Sequence, residues 1–322
     1  MISTAIDMVS GKTNGHGLRR VIYGSGWAAL SLAILSGWFV VTRLGFRHEL
    51  GVWDIIALRF GEGAILLTPS LVVGKFRLPL RAWIRGIPLA ILWGAPFIFL
   101  VGTGLRLTSA TLASSIAPAL MPVFAGAMSW LAFGERPRPL QFSGYVLIAA
   151  GLVALVVTYA SLTGRPDSLG LLCLAVAAAM WAAYTLRLRG SGLSPLQATA
   201  LICFWSAVVY VPVYATSGLS NLASASAAEL LFQSVYQGLL MSVVAVFAFN
   251  RAVASLGPRA AAAVIALVPV TVTMLAIPFL DEFPSASSSV IITVIAAGVM
   301  LAAGSGKSIS TKGENGRQME SF

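Results

Sequence analysis

Ten long apolar runs constrain this chain more than any other feature. They fall at about 21–43, 53–74, 82–103, 109–132, 139–160, 168–187, 197–217, 230–251, 259–280 and 287–304. Each is close to the roughly 20 residues an α-helix needs to cross a hydrocarbon core. Composition agrees: 58% of the 322 residues are hydrophobic and 10% are charged, with a mean hydropathy of +0.88. A soluble domain carries roughly 25% charged residues.

The net charge of +10 would suggest nucleic acid in a soluble protein. Here the basic residues sit in short connections between apolar runs, where they act as orientation signals, so no nucleic-acid partner is expected. With the N-terminus inside, sixteen of the 21 Lys and Arg fall on the cytoplasmic side. Four (Arg43, Arg47, Arg106, Arg165) fall outside, and Arg59 lies within a run. This bias predicts both termini in the cytoplasm and an even number of spans in a cell (inner) membrane. Residues 1–20 are polar and end in Arg19-Arg20, and the run that follows is too long for a signal-peptide core, so it is read as a first spanning helix. The tail 305–322 is rich in Gly and Ser and is expected to be disordered and cytoplasmic.

The sequence also repeats. Shifted by 147 positions, Pro122-Val123 falls on Pro269-Val270 and Glu135-x-Pro137 on Glu282-x-Pro284. Ile148-Ala149-Ala150-Gly151 falls on Ile295-Ala296-Ala297-Gly298, and Ala113, Ala119 and Leu120 on Ala260, Ala266 and Leu267. Each copy holds five spans. Five is odd, so the second copy enters from the opposite side. The expected fold is an all-α integral membrane protein of ten transmembrane helices, arranged as two inverted five-helix repeats at 21–160 and 161–304. Inverted repeats let two similar halves expose a central site alternately, which is a transporter's requirement. Glu135 and Glu282 end their helices at loop edges and read as structural marks of the repeat.

These residues resemble a known family. GLRLTSATLASSIAPALMPVFAGAMSWLAFGERPRPLQFSGYVLIAAG (104–151) is similar to the drug/metabolite transporter superfamily, of the EamA-type ten-helix exporters. So are FNRAVASLGPRAAAAVIALVPVTVTMLAIPFLDEFP (249–284), SGWFVVTR (36–43), ALRF (57–60) and AMWAAY (179–184). The resemblance covers nearly the whole chain. It implies a central cavity lined mainly by helices 1, 3, 4, 6, 8 and 9 and export of amino acids or other small metabolites. Arg59 matches the family's helix-2 arginine, whereas the family has an apolar or small residue where this chain has Glu62. The small-multidrug relatives use a glutamate on helix 1, and helix 1 here has no acid.

For the cavity the residue types suggest Trp38, Trp93, Phe97, Trp181, Tyr184, Phe247 and Asn250, because aromatic walls accept flat or cationic groups. Thr111 and Ser115, with Ser114, form a small polar patch at the start of helix 4. The plainer reading of each is helix packing or a membrane-interface belt. Pro118, Pro122 and Pro269 each remove a backbone donor within a span and are candidate hinges or helix breaks. Arg59 and Glu62 lie three apart on one face of helix 2, about 9 Å and 14 Å deep at 1.5 Å per residue, and are read as an intramembrane charge pair. The pair is either structural or, through protonation of Glu62, a route to proton coupling.

Cys173 and Cys203 sit in apolar runs without a CxxC, and His16 and His48 lie outside the runs, so no metal site is expected. No GxxxxGK[ST] occurs, which leaves a gradient or the substrate itself as the energy source, and no cofactor is expected. An intramembrane enzyme would need a nucleophile–base pair that no span supplies. The expected function is therefore a non-enzymatic secondary transporter exporting a small metabolite, an amino acid among the candidates. A flippase of a lipid-linked precursor or a multidrug/organic-cation exporter is the alternative. Its partners are the bilayer and the substrate, with a coupling proton if Glu62 titrates in transport, and the chain is a monomer or homodimer.

Overall fold

The computed structural model describes residues 12–73, 77–164 and 166–304; the tail 305–322 and most of the N-terminal segment lie outside them. Ten helices are long and apolar enough to cross a membrane, and no strand occurs among the described residues. We number them α1 (Lys12–Arg47), α2 (Val52–Val72), α3 (Leu80–Trp93 and Ala95–Leu107), α4 (Ala110–Phe133) and α5 (Pro139–Thr163). The second five are α6 (Ser168–Arg189), α7 (Pro195–Thr216), α8 (Ala227–Ser234, Val235–Val244 and Ala245–Leu256), α9 (Pro258–Leu280) and α10 (Ala286–Gly304). Local chemistry sets the ends. Ser109, Asp167, Ser194 and Ser226 accept hydrogen bonds from first-turn amides, and Pro139, Pro195 and Pro258 open their helices without wasting a donor.

The helix bounds themselves carry the 147-residue shift. Leu80 moves onto Ala227, Phe133 onto Leu280 and Pro139 onto Ala286, each pair marking the same end of corresponding helices. Backbone geometry follows. Gly134 closes α4 in the left-handed region (φ 69°), and its counterpart Asp281 closes α9 in the same region (φ 55°). Glycine adopts that conformation freely and aspartate only with strain. Asp281→Gly is expected to raise stability by about 0.5–1 kcal/mol, read as a higher midpoint of thermal unfolding in detergent.

Packing is exchanged between halves as well. α1 packs on α8 and α9 as α6 packs on α3 and α4, and α2 packs on α8 as α7 packs on α3. The pairs α2–α7, α4–α9 and α5–α10 map onto themselves. At α5–α10 the reciprocity reaches single residues. A Cβ on Gly151 would lie 2.6 Å from Ile295 Cγ1, and one on Gly298 would lie 3.0 Å from Ile148 Cγ1. Ile148 and Ile295 are both fully buried, so each isoleucine fills the space left by the opposite glycine.

α4 runs unbroken through Pro118 and Pro122, and α9 through Pro269. The backbone is interrupted elsewhere. α3 breaks at Gly94 (φ −93°, ψ −141°), and α8 widens to a π-helix over Val235–Val244. Gly94 shifted by 147 is Met241, inside that π segment, so the two interruptions occupy equivalent places.

Candidate functional site

The break in α3 is stitched to α7. Ala95 N donates to Ser206 Oγ at 3.2 Å, and a Cβ on Gly94 would collide with Ser206 Oγ and with Ala90 O. Only glycine allows so close an approach. The break turns Trp93 and Phe97 toward α6. The Trp93 ring stacks on Phe97 (centroids 4.1 Å) and Tyr184 (5.1 Å) and meets Trp181 at 4.7 Å, with Phe97 6.4 Å from Trp181. Four of the predicted cavity residues thus converge in one aromatic cluster. Phe97 is buried, while Trp93, Trp181 and Tyr184 keep accessible surface.

The other candidates lie apart from this cluster. Trp38 is buried against α8 and donates to Gln237 Oε1 at 2.8 Å. Phe247 is exposed and packs edge-on to Trp27, with the Arg251 guanidinium 5.0 Å from its ring. Asn250 bonds back to Val246 O in its own helix, as Ser115 does to Thr111 O. Thr111 borders a different space, described below.

The π segment of α8 carries a polar seam that the sequence reading missed. Gln237 Nε2 donates to Thr42 Oγ1 (3.1 Å) and to Gln233 Oε1 (3.2 Å), and Gln233 Nε2 donates to Val41 O (2.8 Å) and Glu229 Oε1 (2.9 Å). Both glutamines are fully buried. Every polar atom of an amide inside a membrane protein demands a partner, and α1 supplies them. The available signal was two glutamines four residues apart in an apolar run.

Arg59 and Glu62 share a helix but form no salt bridge with each other. Glu62 lies against Gly238 of the π segment, where a Cβ would collide with its Oε2. Arg59 Cζ lies 5.8 Å from the rings of Trp38 and Phe60, and its Nη1 is sealed off without a hydrogen-bond partner.

A second polar assembly closes the end of the bundle where α1 finishes. Glu282, between α9 and α10, accepts from the α4 amide Ala110 N at 3.1 Å and faces Arg43 Nε at 3.6 Å. Arg43 Nη1 donates to Leu105 O and Arg47 Nη2 to Leu280 O, each at 2.5 Å. One carboxylate therefore ties α1, α4 and the α9–α10 connection together. Burial pushes the Glu282 carboxyl above its ordinary range, against the opposing pull of Arg43, the amides of Ala110 and Thr111, and Arg47. Beneath it lies a cleft of about 440 Å³ bordered by Arg43, Thr111, Tyr159, Leu280, Glu282 and Ser288. At the same end Asp54 is fully buried. It accepts from Gly51 N (2.6 Å), Tyr214 OH (2.5 Å) and Asn221 N (3.0 Å), pinning the α7–α8 connection to α2.

The opposite end is looser. Glu135, the counterpart of Glu282, is exposed and bonded to Ser129 of the preceding helix α4. Phe133 is 68% exposed, whereas its counterpart Leu280 is 1% exposed.

The profile of the EamA-like transporter family matches residues 22–157 and again 168–304, one copy on each half. The Bacillus subtilis (strain 168) protein described as uncharacterized transporter YwfM is 25% identical over 284 residues, covering 84% of this chain and 92% of its own. A protein of known crystal structure superposes with a TM-score of 0.62 at 20% identity, covering 87% of this chain and 96% of the other, a likeness of fold.

Proposed function

From the premise that the chain belongs to the EamA-like transporter family, we propose that it is a secondary transporter exporting a small metabolite by alternating access across the cytoplasmic membrane. The substrate sits where α3 and α8 are interrupted. The observation that carries this reading is the pairing of those interruptions, Gly94 and Val235–Val244, at equivalent positions of the two halves. Broken helices at matching places in a repeat free backbone groups and open space at mid-membrane depth, which an ordinary helix bundle has no reason to do. The aromatic cluster of Trp93, Phe97, Trp181 and Tyr184 beside the first interruption supplies an apolar, polarisable wall for part of the substrate.

The halves are inverted in this reading, with both termini cytoplasmic by the bias of Lys and Arg. The end closed by Arg43 and Glu282 then faces outward and the loose end around Glu135 faces the cytoplasm, so the protein stands open to the inside. The outward-open state exchanges these contacts: Glu282 lets go of Ala110 and Arg43, and Glu135 engages the corresponding elements, the start of α9 and Arg187 near the end of α6. The interruptions and the prolines of α4 and α9 provide the flexing points.

Transport in proteoliposomes tests the function. A panel of labelled amino acids, organic acids and organic cations is followed with and without a pH gradient. Saturable movement of one class, absent from empty liposomes, supports the proposal; no movement across the panel sinks it. Movement of organic cations alone redirects it to the multidrug reading. Trp93→Ala is expected to weaken half-saturation by about tenfold, from the loss of stacking on three partners.

A further inference from the structure

We propose that Arg59 is the anion-binding group of the transport site, taking the carboxylate of a small organic acid or amino acid. This rests on the transport reading above and names its substrate class.

Arg59 lies within the bundle on α2 and is partly buried there. An arginine does not shed its proton in a protein, and an uncompensated charge within a membrane is costly. The expected compensation is missing. Glu62, the nearest acid along the helix, turns to Gly238 instead, and among the described residues the guanidinium has no carboxylate within salt-bridge distance. Nη1 is enclosed with no hydrogen-bond partner. What the protein does supply is aromatic: the Trp38 and Phe60 rings at 5.8 Å hold a cation without neutralising it or occupying its donors.

Arg59 also lies against the π segment of α8. Ser242 Oγ bonds to Arg59 O (3.4 Å) and to Gln237 O (3.2 Å), and Gln237 holds the indole of Trp38. The unpaired cation is thus fixed beside one of the two helix interruptions. A guanidinium with free donors matches a carboxylate's two oxygens. At about 10 Å from the end of α2 it is too deep for a lipid headgroup, so the ligand is a free small anion.

The test uses the purified full chain in nanodiscs of phosphatidylcholine, in chloride-free buffer, with thermal stabilisation as the readout. The probes are phenylpropionate, L-phenylalanine and phenethylamine, which share an aromatic ring and differ in the carboxylate. The two carboxylates are expected to stabilise the wild-type protein and phenethylamine not to. Arg59→Gln is expected to weaken the carboxylates by about thirtyfold or more, and Arg59→Lys to retain part of that binding. Phenethylamine binding as tightly as the acids overturns the proposal without any variant having to fold, as does undiminished carboxylate binding by Arg59→Gln. Equal stabilisation by chloride alone overturns it in favour of an inorganic-ion site, and no stabilisation by either acid overturns it outright. Transport of an organic cation by the same preparation would leave the transport reading standing while this one fell.

Discussion

Asp54→Ala is expected to destabilise the protein by about 2–4 kcal/mol, more than any other single change to a connection. Asp54 is fully buried and accepts from Gly51 N, Tyr214 OH and Asn221 N, so removing it strands two backbone amides and a tyrosine hydroxyl at once. Tyr214 keeps Ser220 Oγ at 2.8 Å, which limits the loss. Asp54→Asn keeps one acceptor oxygen and is expected to cost about half as much. Thermal unfolding in detergent measures both. An alanine variant as stable as wild type would mean that the α7–α8 connection is not anchored through Asp54.

The second large effect falls on the closed end. Glu282→Ala removes the whole group that accepts from Ala110 N and faces Arg43. Both side chains are about one-fifth exposed, so solvent screening trims the contribution to about 1–2 kcal/mol. That is roughly a tenfold shift toward opening of this end. The readout is labelling by a membrane-impermeant maleimide of a cysteine placed at Ser115, a fully buried position on α4, with Cys173 and Cys203 changed to serine. Labelling is expected to rise about tenfold in Glu282→Ala. Unchanged labelling would show that Glu282 does not hold this end shut.

The same carboxyl gives a pH dependence with a definite sign. Burial raises its pKa in the closed state, so the closed state binds the proton more tightly than the open one. Closure therefore gains stability as pH falls from the raised value toward the ordinary carboxylate value, and loses it as pH rises through the raised value. Labelling at Ser115 should fall on acidification in the wild type and be flat over that range in Glu282→Ala.

The sequence by itself determined the ten spans, the all-helical class, the repeat and the family. Each rests on information that is local or periodic along the chain. Apolar length needs only a window of residues, and the 147-residue register needs only the chain compared with itself. Trp93, Phe97, Trp181 and Tyr184 were candidates by residue type alone, and only the structure brings these four rings together. What tertiary structure alone decided is where polar side chains inside the membrane find their partners. Arg59 and Glu62 are close along α2, and helical spacing makes them a pair on paper. The rotation of α2 against α8 sends Glu62 to Gly238 and leaves Arg59 over Trp38. Gln233 and Gln237 depend on α1, some 190 residues away in sequence, for every bond outside α8. Glu282 and Glu135 are equivalent in the sequence and unequal in the structure, because only Glu282 is reached by a basic side chain of α1 and a helix-start amide of α4, whereas Glu135 bonds to Ser129 nearby.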